Sequence, residues 1–526
     1  MLFNTPQYIL FLPFVVLLYY CLPKKVRYIW LLIVSYYFYM QWNPLYITLL
    51  FSCTLLTYVS ALIIEKLTPP QSSRAASDLS EDDKSIVYAA RRKQQICLAA
   101  CILLNLCVLG FFKYFYFGID CLNYLLRLIH LNEVSWNHDI LLPVGISFYT
   151  LQALGYLIDV YRGDIRTEKN FFRYALFVSF FPQLVAGPIE RSSNLLTQLR
   201  EAHSLQYENI RRGMLLVLYG LFLKMVVADR AALIVDTVYN NSESYLGFYI
   251  VVATCFFAIQ IYCDFYGYST IARGSALLMG IRLTDNFNAP YFSKSVKEFW
   301  RRWHISLSGW FRDYLYIPLG GNRKGRLKKD ENLLTVFAVS GLWHGASFSF
   351  VFWGLLNGIY QVAGDFFQNI KQLICEHCIR FFGNRGISDI NPTSDDTKCF
   401  SRELFRTIFT FGLVTFAWLF FRAGGLNAAF EIITNMLHIG NWMILFDGSL
   451  YELGVAKNYM NVLTVSILIL FLVDYQKYQG KDVAEWLLKQ GWAFRVCIYM
   501  FLIFTILLYG CYGEMYDTQQ FIYFQF

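Results

Sequence analysis

Three short stretches of the sequence carry side chains that could do chemistry. Residues 300–323 mix tryptophans with arginines and include His304, and His344 lies further along in an apolar run. The C-terminal end, residues 521–526, has one nucleophile, the phenol of Tyr523. Histidine can act as a general base near neutral pH, arginine binds phosphate, and a phenol can accept a transferred group. These stretches predict a site for proton or group transfer.

His344 is the strongest candidate because of its position in a predicted membrane span. If the span covers residues 332–349, His344 lies about 12 residues in, or roughly 18 Å, near the middle of the bilayer. An ionisable side chain at that depth is costly and indicates function. Gly341 and Gly345 lie on the same helical side and permit the close approach of a neighbour or a substrate. The alternative is a histidine that only forms a hydrogen bond between helices.

The stretch at residues 300–323 allows two interpretations. Its tryptophans and arginines are typical of helices that lie in the membrane interface. Alternatively, Arg301, Arg302 and Arg323 form a basic mouth that holds the phosphates of a ligand. His304 is either half-solvated on such a helix or part of the site. Tyr523 has its own alternative, which is a tail that only packs at the membrane surface.

Composition places the chain in a membrane. Of its 526 residues, 56% are hydrophobic and only 16% are charged, too few to cover a soluble protein of this length. The net charge of +8 sits in a few loops, so no nucleic-acid partner is expected. Most cysteines lie singly in apolar runs and predict no disulfide framework. Cysteine and histidine at residues 375–378 lack a partner pair at zinc-finger spacing, so no metal is expected.

The pattern of apolar runs predicts an all-α, polytopic integral membrane protein. About 11–14 membrane segments, including re-entrant and interfacial helices, are expected around a central tunnel. Apolar runs at 246–263 and 265–281 are predicted as two separate spans. The run at 171–187 contains Pro182 and Gly187, which predicts a broken helix. The apolar N-terminus, with no basic lead, is predicted to be a retained first span.

Lysine and arginine counts predict the orientation and the regions of one membrane domain, residues 1–526. Basic residues follow the first span and fill the loop at 65–94, which is predicted to be flexible and cytoplasmic. Residues 284–330 are predicted to form cytoplasmic interfacial helices. Basic residues between 477 and 495 place the last loop inside, so the tail at 510–526 is extracytoplasmic. Both termini are therefore expected outside the plasma (inner) membrane.

Several long motifs together resemble the membrane-bound O-acyltransferase family, and most closely its alginate O-acetyltransferase-like branch. The resemblance rests on residues 181–191, 300–323 and 341–347, with Asp264-Phe265 and Gly267-Tyr268-Ser269 as a further match. The teichoic acid D-alanyl transfer proteins form a sister branch. Cys263 and Thr270 depart from the alginate-type pattern, which leaves the exact substrate open.

The resemblance implies an enzyme that moves an acyl group through the tunnel. It implies that His344 is the catalytic histidine, that His304 is a second functional residue, and that a terminal tyrosine, Tyr523 here, carries the acyl group. The implied donor is acetyl-coenzyme A in the cytoplasm. The implied partners are the lipid bilayer, an extracellular or periplasmic acetyltransferase of the serine-hydrolase kind, and a polysaccharide acceptor.

Three alternatives remain open from the sequence. The first is D-alanyl transfer from a phosphopantetheine thioester on a carrier protein. The second is a transporter with no covalent step, which would place paired ionisable residues along many spans. The third is a membrane scaffold, which would tolerate the substitution His344→Ala.

Overall fold

The structure is a computed structural model that describes residues 1–68, 81–136, 140–185, 187–383, 399–512 and 522. Of these, the side chains of residues 81–83 and 374–383 are not described. Every regular element in the described part is helical, which confirms the predicted all-α class. The chain divides into two compact units.

Unit 1 comprises residues 1–225, 265–285 and 487–510. Its helices are α1 (Pro6–Cys21), α2 (Arg27–Met40), α3 (Tyr46–Lys66), α4 (Glu81–Leu128), α5 (Ile146–Arg162), α6 (Phe171–Ser179), α7 (Phe181–Leu184), α8 (Ser192–Arg200) and α9 (Tyr207–Leu221).

Unit 2 comprises residues 226–264, 286–486 and 511–526. Its helices are α10 (Asp229–Tyr239), the first half of α11 (Phe248–Leu278), α12 (Val296–Arg302), α13 (Ile305–Phe311), α14 (Arg326–His344), α15 (Phe348–Gly383), α16 (Phe400–Arg422), α17 (Leu426–Met436), α18 (Lys457–Tyr478) and all but the last two residues of α19 (Val483–Leu488). The second half of α11 and the last helix, α20 (Trp492–Tyr509), belong to unit 1.

Six of these helices are long and apolar enough to cross a membrane: α3, α4, α11, α16, α18 and α20. They bury between 11% and 67% of their most apolar windows inside the protein, so much of their apolar surface is left for lipid. The prediction of a polytopic membrane protein is confirmed. The count of 11–14 segments stays a prediction, because shorter and interrupted helices cannot be assigned to the membrane by length and composition.

Three predicted boundaries are wrong. The apolar runs at 246–263 and 265–281 form one continuous helix, α11, of 31 residues. This helix contains no proline, and its glycines pack in a helix contact instead of ending it. Helix α4 begins at Glu81, so it takes in the last part of the loop predicted at 65–94. The span predicted at 332–349 ends at His344, and α15 begins at Phe348.

Glycines bring helices α9 and α11 into backbone contact within unit 1. A Cβ at Gly220 would lie 2.7 Å from the carbonyl oxygen of Gly267, and one at Gly274 would lie 2.7 Å from that of Gly213. Small residues at a crossing allow this approach, which is the usual way that helices associate in a membrane. Gly267, part of the family motif, therefore has a packing role.

Candidate active site

Helices α14 and α15 form a tight hairpin that positions His344. A Cβ at Gly341 would lie 2.2 Å from the carbonyl oxygen of Phe350, and one at Gly345 would lie 2.2 Å from the Phe350 ring. The close approach predicted from these two glycines is therefore present, and α15 is the neighbour that uses it. His344 is the last residue of α14, so it lies at a helix end inside the protein and not twelve residues into a longer helix.

His304 joins the short helices α12 and α13 in an unusual backbone conformation. Its φ of 44° and ψ of 55° lie in the left-handed region, which a residue with a Cβ seldom occupies. Asn286 holds the turn, since its carbonyl oxygen accepts from the Ile305 amide at 3.0 Å and its Oδ1 accepts from the Ser306 hydroxyl at 2.6 Å. Strained backbone that is held by its surroundings is common at functional sites.

The structure brings the two histidines together although forty positions separate them in sequence. Their ring centroids are 6.5 Å apart, and the side chains are only 1% exposed for His304 and 3% for His344. The half-solvated interpretation of His304 is therefore wrong. At this separation one group placed between the rings can lie within hydrogen-bonding distance of both.

Aromatic side chains form the walls around this histidine pair. The His344 ring centroid lies 4.9 Å from Trp343, 5.1 Å from Trp353 and 5.6 Å from Phe421. Trp418 stacks on Trp353 at 5.3 Å. Such walls exclude water, so charged forms are disfavoured inside them. Burial accordingly lowers the pKa of His304 from 6.5 to about 3, and its imidazole is neutral at physiological pH.

The three arginines predicted to bind phosphate have different environments. Arg302 donates to the Glu298 carboxylate at 3.0 Å and to the Asn288 carbonyl at 3.2 Å, and it lies 4.6 Å from the Tyr478 ring centre. Its guanidinium therefore has structural contacts. Arg301 and Arg323 are exposed.

Tyr523 lies outside the described residues, but its neighbour Ile522 is described. The Ile522 amide donates to the Asp264 carboxylate at 2.7 Å, and both residues are buried, 2% and 3% exposed. A hydrogen bond to a carboxylate is stronger than one between neutral groups. The C-terminal tail is thereby attached to α11 at a residue of the family motif.

The motif at residues 181–191 contributes a buried polar network in unit 1. The Gln183 side chain donates to the Gln152 amide oxygen at 3.1 Å, and the Glu190 carboxylate accepts from Asn194 at 2.6 Å. Buried polar groups paired in this way fix a unique packing arrangement. The helix predicted at 171–187 is broken here, since α6 ends at Ser179 and α7 begins at Phe181.

Two further buried polar residues of unit 2, Asn286 and Asp474, are not among the residues predicted from the sequence. Asn286 has no sequence signal, because its role depends on the backbone of a loop that follows it. Asp474 did have one, since it is an ionisable residue at the end of an apolar run. It is 1% exposed inside α18 and accepts a hydrogen bond from the Tyr262 hydroxyl at 2.7 Å.

No metal-ligand group of three or more histidine, cysteine or acidic side chains occurs in the described part of the chain. The cysteine and histidine side chains at residues 375–378 lie outside the described ones. A neutral imidazole carries one acceptor and one donor nitrogen, so the chemistry available to the histidine pair is proton transfer.

Comparison with known proteins gives a family. Residues 164–380 match the model of the membrane-bound O-acyltransferase family. "Probable alginate O-acetylase AlgI" of Azotobacter vinelandii is 35% identical over 89% of this chain and 84% of its own length. "Peptidoglycan O-acetyltransferase" of Helicobacter pylori is 33% identical over 83% of this chain and 80% of its own. "Teichoic acid D-alanyltransferase" of Bacillus subtilis is 26% identical over 44% of this chain and 61% of its own.

The fold is that of a multi-pass membrane protein, and two histidines, His304 and His344, lie buried and close together in it. The identity to the Azotobacter relative extends over most of both chains. The chain therefore belongs to the membrane-bound O-acyltransferase family. The resemblance is confirmed, and the protein is an O-acyltransferase, not a transporter or a scaffold.

Proposed function

We propose that the protein transfers an acetyl group from a cytoplasmic thioester donor, acetyl-coenzyme A, to an extracytoplasmic acceptor. The observation that carries the proposal is the pair of buried histidines, His304 and His344, on motifs of the family. The donor class is supported by the relatives, which include alginate and peptidoglycan O-acetylating proteins. The route is the tunnel expected from the sequence, with both termini outside the plasma (inner) membrane.

In this proposal His344 is the general base. The acceptor hydroxyl gives its proton to the neutral imidazole as its oxygen forms a bond to the thioester carbonyl carbon. The tetrahedral intermediate then collapses, the carbon–sulfur bond breaks, and the thiolate takes the proton back from the imidazolium. One ester and one thiol replace one alcohol and one thioester, and no other reactant is consumed.

His304 has the complementary role of hydrogen-bond donor. A neutral imidazole has one N–H, which can donate to the thioester carbonyl oxygen and stabilise the negative charge that develops there. The Asn286 turn would fix the direction of that N–H. Arg301 and Arg323, being exposed, are the proposed contacts for the donor phosphates, whereas Arg302 keeps its structural contacts.

We also propose that Tyr523 receives the acetyl group first. The hydrogen bond from Ile522 to Asp264 supports this, because it attaches the residue next to Tyr523 to unit 2, the unit that holds both histidines. An extracytoplasmic acetyltransferase of the serine-hydrolase kind would then collect the group and deliver it to a polysaccharide. The names of the relatives, which include an alginate O-acetylase, support only the polysaccharide acceptor.

The first experiment measures acyl-enzyme formation. Purified protein in nanodiscs is incubated with radiolabelled acetyl-coenzyme A, as wild type, His344→Ala and Tyr523→Phe. Wild type should retain label, and both variants should lose it. His438→Gln, at an exposed histidine, and Tyr512→Phe, at an exposed tyrosine near the start of the tail, are matched controls that should behave as wild type.

The outcomes separate the parts of the proposal. Label lost in His344→Ala but kept in Tyr523→Phe would disprove the tail as carrier and leave the catalytic assignment intact. Label absent from wild type, but present when a D-alanyl carrier-protein thioester is supplied, would replace acetyl transfer by D-alanyl transfer, the reaction named for the Bacillus relative.

A second experiment tests the attachment of the tail. Asp264→Ala removes the acceptor, whereas Asp264→Asn keeps an oxygen in place and loses only the charge. We expect labelling of the tail to fall about tenfold in the alanine variant and less in the asparagine variant. Ile522→Pro removes the donor amide and should match Asp264→Ala, while Ile522→Ala keeps it. Equal labelling in all four would refute the attachment.

A further inference from the structure

A basic cavity in unit 1 lies outside the proposed acyl-transfer machinery. It has a volume of about 210 Å³ and is lined from α1, α2, α6 and α8, with the turns that follow α1 and α8. Five cationic side chains line it against one carboxylate, that of Glu201. The cations are Lys24, Lys25, Arg27, Arg173 and Arg200.

Arg27 is the buried centre of this charge. It is 9% exposed and donates to the carbonyl oxygens of Leu22 at 3.0 Å, His203 at 2.6 Å and Tyr20 at 3.1 Å. Among the residues that the structure describes, no carboxylate pairs with it. A buried cation without an anion is costly, because carbonyl oxygens satisfy its donors but do not neutralise its charge.

Three of the other four cations that line the cavity form no ion pair with a carboxylate in the described part of the protein. Arg200 is paired with Glu168 at 2.6 Å, but no ion pair within the described ranges involves Lys24, Lys25 or Arg173. Arg173 lies over the Tyr28 ring at 5.1 Å, and its Nε is buried with no hydrogen-bond acceptor among those residues. The cavity therefore holds both an unbalanced positive charge and an unused donor.

A second cavity of unit 1 is also lined by arginines, but part of its charge is compensated within the protein. It has about 240 Å³ and is lined by three arginines, Arg212, Arg273 and Arg282. There, Arg273 forms an ion pair with Asp285, so part of the charge is compensated internally. The cavity around Arg27 therefore has more uncompensated positive charge and is the better candidate for binding an external anion.

We propose that the cavity lined by Lys24, Arg27 and Arg173 binds a phosphate group of a larger molecule. Arginine forks and lysine ammonium groups are the usual ligands of phosphate. Drug-sized ligands occupy pockets of about 300–1,000 Å³, so this cavity suits a headgroup or one phosphate of a nucleotide, not a whole cofactor. The phosphate belongs either to an anionic lipid or to a soluble nucleotide. The inference does not depend on acyl transfer.

Binding of inorganic phosphate to purified protein in detergent is the first test, read by the thermal midpoint at constant ionic strength. Phosphate should raise the midpoint of wild type relative to chloride. The triple variant Lys24→Gln, Lys25→Gln, Arg173→Gln should weaken binding at least tenfold. The control, Arg91→Gln with Arg92→Gln, removes exposed charge from α4 and should change binding less than twofold.

Two further arms identify the source of the phosphate. If the ligand is lipid, native mass spectrometry should show phosphatidylglycerol retained over phosphatidylcholine in wild type and lost in the triple variant. If it is a soluble nucleotide, coenzyme A should compete with phosphate. Should the triple variant unfold, the exposed pair Lys24→Gln, Lys25→Gln gives the same comparison. No saturable binding of any probe, or equal loss in the α4 control, would overturn the proposal.

Discussion

The histidine pair of unit 2 and the basic cavity of unit 1 are two polar sites with opposite physical designs. His304 and His344 are buried among aromatic rings, which suits neutral side chains that exchange protons. The cavity around Arg27 is lined by permanent cations and is partly open, which suits the binding of an anion. Burial keeps an imidazole neutral, which is the form that accepts a proton, whereas anion binding needs permanent positive charge, so the two tasks need different surroundings.

The largest expected effect is at the centre of the histidine pair. His344→Ala should lower the single-turnover rate of acyl transfer by about 10²–10⁴-fold, because the acceptor loses its general base. Binding of phosphate to the basic cavity should be unchanged. The rate is measured by rapid quench with labelled donor, with His438→Gln as the control. A loss of less than fivefold would remove His344 from the chemical step.

A smaller effect is expected from the turn that holds His304. Asn286→Ala removes the acceptor of the Ser306 hydroxyl, so we expect kcat to fall about tenfold at nearly constant KM. The free energy of unfolding should fall by about 1–3 kcal/mol. Asn286→Asp keeps an acceptor oxygen and should restore most of kcat. If both variants lose stability and activity in parallel, with no rescue, Asn286 has only a structural role.

The free energy of unfolding should depend on pH through the buried histidine pair but not through the arginines and lysines of the basic cavity. The pKa of His304 is lowered from 6.5 to about 3 in the folded protein. Between pH 3 and pH 6.5, this imidazole therefore binds a proton in the unfolded chain but not in the folded protein. The contribution of this group to the free energy of unfolding is fully present above pH 6.5. It falls as the pH decreases, with a slope approaching about 1.4 kcal/mol per pH unit. Denaturation of wild type beside His304→Gln in detergent measures it. Identical pH profiles would contradict the neutral, buried imidazole.

The smallest expected effect is the difference between the two sites in their response to salt. Raising sodium chloride from about 50 to 500 mM should weaken phosphate binding to the basic cavity several-fold, since the attraction between exposed charges is screened. The single-turnover rate at saturating donor should change less than twofold. Equal sensitivity would show that both measurements report one site.

Part of this protein could be predicted from local sequence. Composition and the length of apolar runs gave the all-α membrane class. The apolar run at 44–64, one of the predicted spans, forms helix α3 with ends shifted by two residues. His344 was identified from an ionisable residue in an apolar run, and the close approach at Gly341 and Gly345 from helical spacing. The boundaries failed where breaking signals are ambiguous. Glycines of α11 serve a helix crossing and do not end the helix, and the hairpin after His344 lies inside one long apolar stretch.

Sequence by itself therefore determined the class of the chain and its family motifs, because hydropathy and motif spacing are local properties, and it predicted His344 as the catalytic histidine. Tertiary structure decided the burial of His304, its distance from His344, the pairing of Arg302 with structural partners and the assembly of the basic cavity. Each of these joins segments far apart in the chain, whose meeting depends on how helices pack. Local sequence patterns do not contain that information, since packing is a property of the whole fold.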